Sequence, residues 1–235
     1  MHSNFKESKY SSIALESENF NQVTLGGEVE FHYSPRTYLG IKYDYDNFNY
    51  LVQSNVNFDS AINTVFGVFG WRPTPLIELE IFLGFRTQAF RGLPSQNRND
   101  FVYAVLMDYH PTDRTQMRLS VKREIENSSF FAIQTASTIS ADLDLLQKLG
   151  RKWEAEMLFD YKFRDYQLAA LDVPGGGVSK VREDHWMQFS FGLTYQVLEW
   201  LETKAEYLYR ENQSNFDDRD YQNNSANLKF IALFK

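Results

Sequence analysis

Cysteine is absent from this 235-residue chain. That removes disulfide frameworks, thiolate nucleophiles and zinc–thiolate centres together. Long apolar runs are also missing: no stretch approaches the ~18 consecutive apolar residues of a membrane helix. This excludes membrane helices but not barrels, whose strands need only about 9–11 residues with every second one apolar. A basic excess is lacking as well. With a net charge of -7 and no basic stripe interleaved with aromatics, no nucleic-acid partner is expected. No composition break and no Gly/Ser- or Pro-rich linker divides the chain, so a single domain over 1–235 is expected. The opening Met1-His2-Ser3-Asn4-Phe5-Lys6 has no apolar signal segment. A barrel must cross the inner membrane, so the chain reads as processed or as a fragment.

What is present is aromatic and periodic. Aromatic residues make up 16% of the chain, with 20 Phe and 14 Tyr, types that suit strands and membrane interfaces. Pro35, Pro73 and Pro111 stand 38 residues apart, each in an expected short polar turn: Ser34-Pro35-Arg36-Thr37, Arg72-Pro73-Thr74-Pro75 and Pro111-Thr112-Asp113-Arg114-Thr115. One further step reaches Leu149 beside Gly150-Arg151-Lys152. A fixed period of this size signals one supersecondary unit repeated. Here the unit is a hairpin of two long strands.

The strands show strict period-2 alternation. Val23, Leu25, Val29, Phe31 and Tyr33 oppose Gln22, Thr24, Glu28, Glu30 and His32. Ile77, Leu79, Ile81, Leu83 and Phe85 oppose Glu78, Glu80, Arg86 and Gln88. Trp153, Ala155, Met157, Phe159, Tyr161 and Phe163 oppose Glu154, Glu156, Asp160, Lys162 and Arg164. About twelve strands follow from this pattern. They are expected near 9–18, 21–34, 37–49, 60–72, 76–90, 100–110, 115–125, 130–146, 152–166, 184–197, 200–211 and 223–234. Short turns are expected at 35–36, 73–75, 111–114, 148–151 and 198–199, with a short connection at 19–20 on the other side. Longer loops are expected near 50–59, 91–99, 126–129, 167–183 and 212–222.

Short turns on one side and long loops on the other are the layout of an antiparallel transmembrane outer-membrane β-barrel, which is the expected fold class (all-β). A soluble sandwich would alternate too, with its apolar face turned inward. Strands of 11–15 residues, charges deep in mid-strand and aromatics near strand ends favour lipid outside and water inside. The strand-end aromatics are Tyr45, Phe48, Trp71, Phe90, Tyr109, Trp153, Tyr166, Trp200 and Tyr209. Ala226, Leu228, Phe230, Ala232 and Phe234 form a last alternating series, like the terminal strand that outer-membrane assembly machinery recognises.

Several phrases also carry a family likeness. Gly70-Trp71-Arg72-Pro73-Thr74-Pro75, Pro111-Thr112-Asp113-Arg114-Thr115 with Leu119-Ser120 and Arg123, Arg182-Glu183-Asp184, and Tyr207-Leu208-Tyr209-Arg210-Glu211-Asn212-Gln213-Ser214-Asn215 with Asp220-Tyr221-Gln222-Asn223-Asn224 resemble the putative beta-barrel porin 2 family. The resemblance runs from about residue 20 to the end. It implies a bacterial outer-membrane barrel, of a kind often associated with exopolysaccharide secretion. Members tend to carry further N-terminal strands, so this chain reads either as a whole barrel or as the C-terminal part of a larger one.

The candidate functional residues line the polar face. They are Glu28, Glu30, Lys42, Asp44, Glu78, Glu80, Arg86, Arg118, Lys122, Glu154, Glu156, Asp160, Lys162, Arg164, Lys204, Glu206 and Arg210. Opposed rows of charge in a wide lumen would select solutes, whereas in a narrow one they would pair across it and plug it. The plain alternative is that they only hydrate the wall. Tyr38, Phe66, Phe82 and Trp186 fall on or near the same face and are candidate stacking platforms for sugar rings.

Catalytic patterns are weak. His32 and Ser34 have a same-face spacing but sit at the short-turn end, and His110 sits similarly beside Pro111. Paired Glu28/Glu30 and Glu78/Glu80 recur as any hydrated face would. Asp217-Asp218-Arg219-Asp220 lacks calcium-loop spacing, and Pro174-Gly175-Gly176-Gly177 lacks the Lys of a phosphate loop. The expectation is therefore a channel without catalytic activity, cofactor or metal. Export of a polysaccharide leads, with a small-solute porin and a structural or adhesive barrel as alternatives. The expected partners are the lipid bilayer and lipopolysaccharide, a secreted polysaccharide and export-machinery subunits.

Overall fold

The computed structural model describes residues 2–8, 20–50, 59–92, 97–127, 135–167, 182–216 and 219–232. Alternating β-branched and aromatic positions form twelve strands in one antiparallel sheet, in strict sequence order. They are β1 (His2–Ser8), β2 (Phe20–Ser34), β3 (Thr37–Tyr50), β4 (Ser60–Thr74), β5 (Ile77–Phe90) and β6 (Arg98–Thr112). The second half comprises β7 (Thr115–Asn127), β8 (Thr135–Leu149), β9 (Trp153–Gln167), β10 (Glu183–Leu198), β11 (Leu201–Ser214) and β12 (Tyr221–Ala232). Among the described residues β1 pairs only with β2, and β12 only with β11, so the sheet is open between those two edges.

The first strand departs from expectation. It lies at His2–Ser8, in register with Phe20–Gly26. The expected strand at 9–18 and connection at 19–20 fall largely outside the described residues, as do the Pro174–Gly177 segment, Asp217, Asp218 and Phe234.

The turn at 35–36 falls where expected, while the others lie further toward the C-terminus; at the second and third the reason is a bulge. The turns occupy 35–36, 75–76, 113–114, 150–152 and 199–200. Pro35 is in its turn, but Pro73 and Pro111 lie inside β4 and β6, where the register slips between Trp71 and Thr74 and between Tyr109 and Thr112. A slipped register takes residues out of the ladder, so a residue without an N–H costs nothing there. The freed N–H groups of Arg72 and His110 donate to Arg36 O at 2.7 Å and Leu76 O at 2.8 Å on the preceding hairpin. Lys148 N to Arg114 O and Gln196 N to Lys152 O, both 2.8 Å, continue this stitching along the rim.

The feature common to the first three turns is a hydroxyl, not a proline. Ser34 Oγ accepts from Arg36 N at 3.1 Å, Thr74 Oγ1 from Leu76 N at 3.3 Å, and Thr112 Oγ1 from Arg114 N at 3.2 Å. Each side chain satisfies a turn amide two residues on, which fixes where the strand stops.

The registers place the even-numbered residues of β2–β11 on one face, as in the pairs Glu28↔Lys42, Thr64↔Arg86, Asp108↔Arg118 and Gly192↔Glu206. In β12 the parity changes, because Lys204 faces Lys229 and Glu206 faces Asn227. The odd face is apolar and uncovered: Val29 is 77% exposed, Phe31 69% and Phe85 67%. On the even face small side chains such as Ser60, Thr64, Thr138, Ser140 and Ser190 are buried. Side chains therefore converge on the charged face and splay on the apolar one, as in a sheet curved around its charged side. A sandwich would bury the apolar face; here nothing among the described residues covers it.

The strand-end aromatics divide between the faces. Trp71, Trp153 and Trp200 are exposed near the short turns, with Tyr195 packed on Trp153 at a centroid distance of 4.4 Å. Phe48, Phe90 and Tyr166 share the even parity and so lie on the charged face, with Phe90 buried there. They take no part in an outer girdle, because position along a strand does not determine the face.

Candidate functional site

The charged face is built by register alone. Every candidate named above occupies an even position of β2, β3, β5, β7, β9 or β11, so all seventeen share that face. Most are neutralised by a neighbour. Lys42 Nζ lies 3.0 Å from Asp44 and Arg118 Nε 2.9 Å from Asp108. Lys122 Nζ lies 3.0 Å from Glu124 and Arg164 Nε 3.2 Å from Glu126. Lys204 Nζ reaches Glu156 at 2.7 Å, and Lys229 Nζ reaches Glu206 at 2.9 Å. Arg72 Nε donates to Glu78 at 2.8 Å, His32 pairs with Glu30 at 3.0 Å, and the Tyr38 hydroxyl donates to Glu80.

These partners lie on the same strand, the adjacent strand or, for Arg164–Glu126, Lys204–Glu156 and Tyr38–Glu80, two strands away. Among the described residues no ion pair bridges more distant strands. The charge is thus balanced along the wall. Asp108, Glu124, Glu126 and Lys229 belong to this network but are not among the sequence candidates. Even parity with Arg118 and Lys122 is the signal that finds the first three. Lys229 required the register of β12, where parity switches.

Polar chains continue the pattern toward the loop end. Arg210 Nε donates to Gln188 Oε1 at 2.7 Å, and Gln188 Nε2 donates to Asp160 at 3.1 Å. Lys162 sits over the Trp186 ring at 5.6 Å, and Trp186 Nε1 donates to the Tyr221 hydroxyl at 3.0 Å.

The aromatic candidates are also on this face. Tyr38 lies over Gly70 and Phe66 over Gly84: a Cβ at Gly70 would come within 2.0 Å of the Tyr38 ring, and one at Gly84 within 2.6 Å of Phe66. Glycine opposite each ring leaves room for it against the wall. Phe82 meets Phe66 edge-on at 6.1 Å.

The candidate hydrolytic pair is not assembled. His32 pairs with Glu30, while Ser34 Oγ caps its turn across the register slip between His32 and Ser34.

A meander of long strands, apolar and bare on one face and charged on the other, defines an outer-membrane barrel protein. The family model described as putative beta-barrel porin 2 matches residues 2–232, and the chain belongs to that family. Its location is accordingly the bacterial outer membrane. No curated protein matches the chain. Two solved structures share its fold. The FrpB iron transporter from Neisseria meningitidis is 10% identical, with a TM-score of 0.60 over 89% of this chain. The outer membrane channel DcaP of Acinetobacter baumannii is 11% identical, with a TM-score of 0.59 over 97% of this chain. The chain spans 40% of the length of FrpB and 67% of that of DcaP.

Proposed function

We propose that this outer-membrane barrel is a channel whose charged face lines the passage of a secreted polysaccharide. The observation that carries the reading is the neutralisation of charge along the wall, with ion pairs among the described residues reaching no further than two strands. Pairs crossing a lumen would plug it, whereas pairs along a wall leave a hydrated passage. The Phe66 ring beside Gly84, among carboxylates, suits a sugar chain, which needs apolar faces and hydrogen-bond partners together. In this reading Glu28, Glu30, Lys42, Asp44, Glu78, Glu80, Arg118, Lys122, Glu154, Glu156, Asp160, Lys162, Arg164, Lys204, Glu206 and Arg210 line the path. The bilayer and lipopolysaccharide meet the apolar face, export-machinery subunits act at the rims, and the barrel performs no catalysis.

The test is conductance of the full chain in planar bilayers. Open channels are expected, with their current reduced by an added soluble polysaccharide. Arg118→Glu should shift ion selectivity toward cations. Electrical silence of a folded, inserted protein would overturn the channel reading in favour of a structural barrel. Conductance that no polysaccharide affects would favour a small-solute porin, a reading also consistent with the mixed signs along the wall.

A further inference from the structure

Among the described charges of this face that no ion pair neutralises, Arg86 is the one with a buried side-chain nitrogen left without a partner. Arg86 projects from β5 with its Nε buried and unpartnered, and among the described residues no hydrogen bond or ion pair reaches its guanidinium. Carboxylates surround it, but each is engaged elsewhere. Asp44 pairs with Lys42 at 3.0 Å, and Asp46 accepts from Gln22 Nε2 at 3.0 Å and Thr24 Oγ1 at 2.5 Å. Asp100, opposite Arg86 in the register, receives Arg98 Nε at 2.9 Å and Arg98 Nη2 at 3.0 Å. Glu124 pairs with Lys122 at 3.0 Å. A guanidinium nitrogen buried without a partner is costly unless an acceptor completes it.

A cavity of about 200 Å³ opens beside it, lined by Arg86, Thr64, Phe66, Val102, Lys122 and Glu124 among others. Thr64 is directly opposite Arg86 across the β4–β5 ladder, and Phe66 is opposite Gly84, over which its ring lies. The ring's place is fixed by Gly84 beneath it and by Phe82 edge-on. The cavity thus presents a planar cation, an aromatic ring with Lys42 Nζ over it at 6.0 Å, and a hydroxyl side by side. The guanidinium fork matches a carboxylate, the ring matches the apolar face of a pyranose, and the hydroxyl matches a sugar OH.

We propose that Arg86, Phe66 and Thr64 form a subsite for a sugar bearing a carboxylate, so that the solute is an acidic, uronate-containing polysaccharide. This rests on reading the charged face as the solute path and names the class of solute that path takes.

The experiment is equilibrium dialysis of the full chain, refolded in detergent, against D-glucuronate, D-glucose and inorganic phosphate, run beside the bilayer assay. Glucuronate should be retained in preference to both other probes. Arg86→Gln should weaken glucuronate binding about tenfold or more, as loss of a charge-assisted bidentate contact does. Arg86→Lys keeps the charge without the fork and should fall between. If Arg86→Gln does not fold, this variant decides: undiminished glucuronate binding overturns the subsite. Phe66→Leu should weaken glucuronate binding severalfold and leave any phosphate binding unchanged.

Equal retention of glucose and glucuronate overturns the subsite, as does unchanged affinity in Arg86→Gln. Phosphate that competes as well as glucuronate overturns the sugar assignment. Conductance without glucuronate binding sinks the subsite and leaves the channel standing. Glucuronate binding without conductance supports the subsite and sinks the channel.

Discussion

The two faces of this sheet carry side chains under opposite rules. On the odd face the side chains splay outward, are mostly large and apolar, and stand open to their surroundings: Val29, Phe31 and Phe85 are each more than two-thirds exposed. On the even face charges and hydroxyls converge, many of them buried or paired with a close neighbour. In water this assignment would be inside out, because bare apolar surface is what folding removes. With lipid against the odd face and water against the even one, each face meets the medium that solvates it.

That contrast predicts unequal responses to similar substitutions. Phe85→Arg, mid-strand on the odd face, should cost about 2–4 kcal/mol in a refolding titration in lipid. Gly84→Leu, on the even face, should cost about 1–3 kcal/mol, because the new side chain meets Val65 O and Phe66. Thr112→Ala at the short-turn rim should cost about 0.5–1.5 kcal/mol by removing the hydroxyl that accepts from Arg114 N. Glu28→Gln should change stability by less than about 0.5 kcal/mol. It should nevertheless move the reversal potential in a salt gradient toward anion selectivity. If Phe85→Arg proves as mild as Glu28→Gln, the two faces do not differ as argued.

The contrast was legible in the sequence, because strict alternation survives through β2, β5 and β9 and needs no three-dimensional information. Parity alone put all seventeen candidates on one face. The rim was less legible. The proline period drew attention to Pro73 and Pro111, yet these mark where the ladder slips. The turns themselves follow the hydroxyls of Thr74 and Thr112, a weaker signal because Ser and Thr are common everywhere. The girdle was misread at Phe48, Phe90 and Tyr166, where nearness to a strand end stood in for parity. The isolation of Arg86 was invisible in the sequence. It depends on Asp44, Asp46, Asp100 and Glu124 all being claimed by other partners, which only cross-strand registers and side-chain geometry disclose.

The absence of cysteine makes the central claim directly measurable. Single cysteines placed at 28, 30, 86 and 118 on the even face, and at 29, 31, 85 and 139 on the odd face, can be exposed in proteoliposomes to a charged, membrane-impermeant thiol reagent. The account predicts labelling of the even set and protection of the odd set. Labelling that ignores parity, or that favours the odd set, would contradict it.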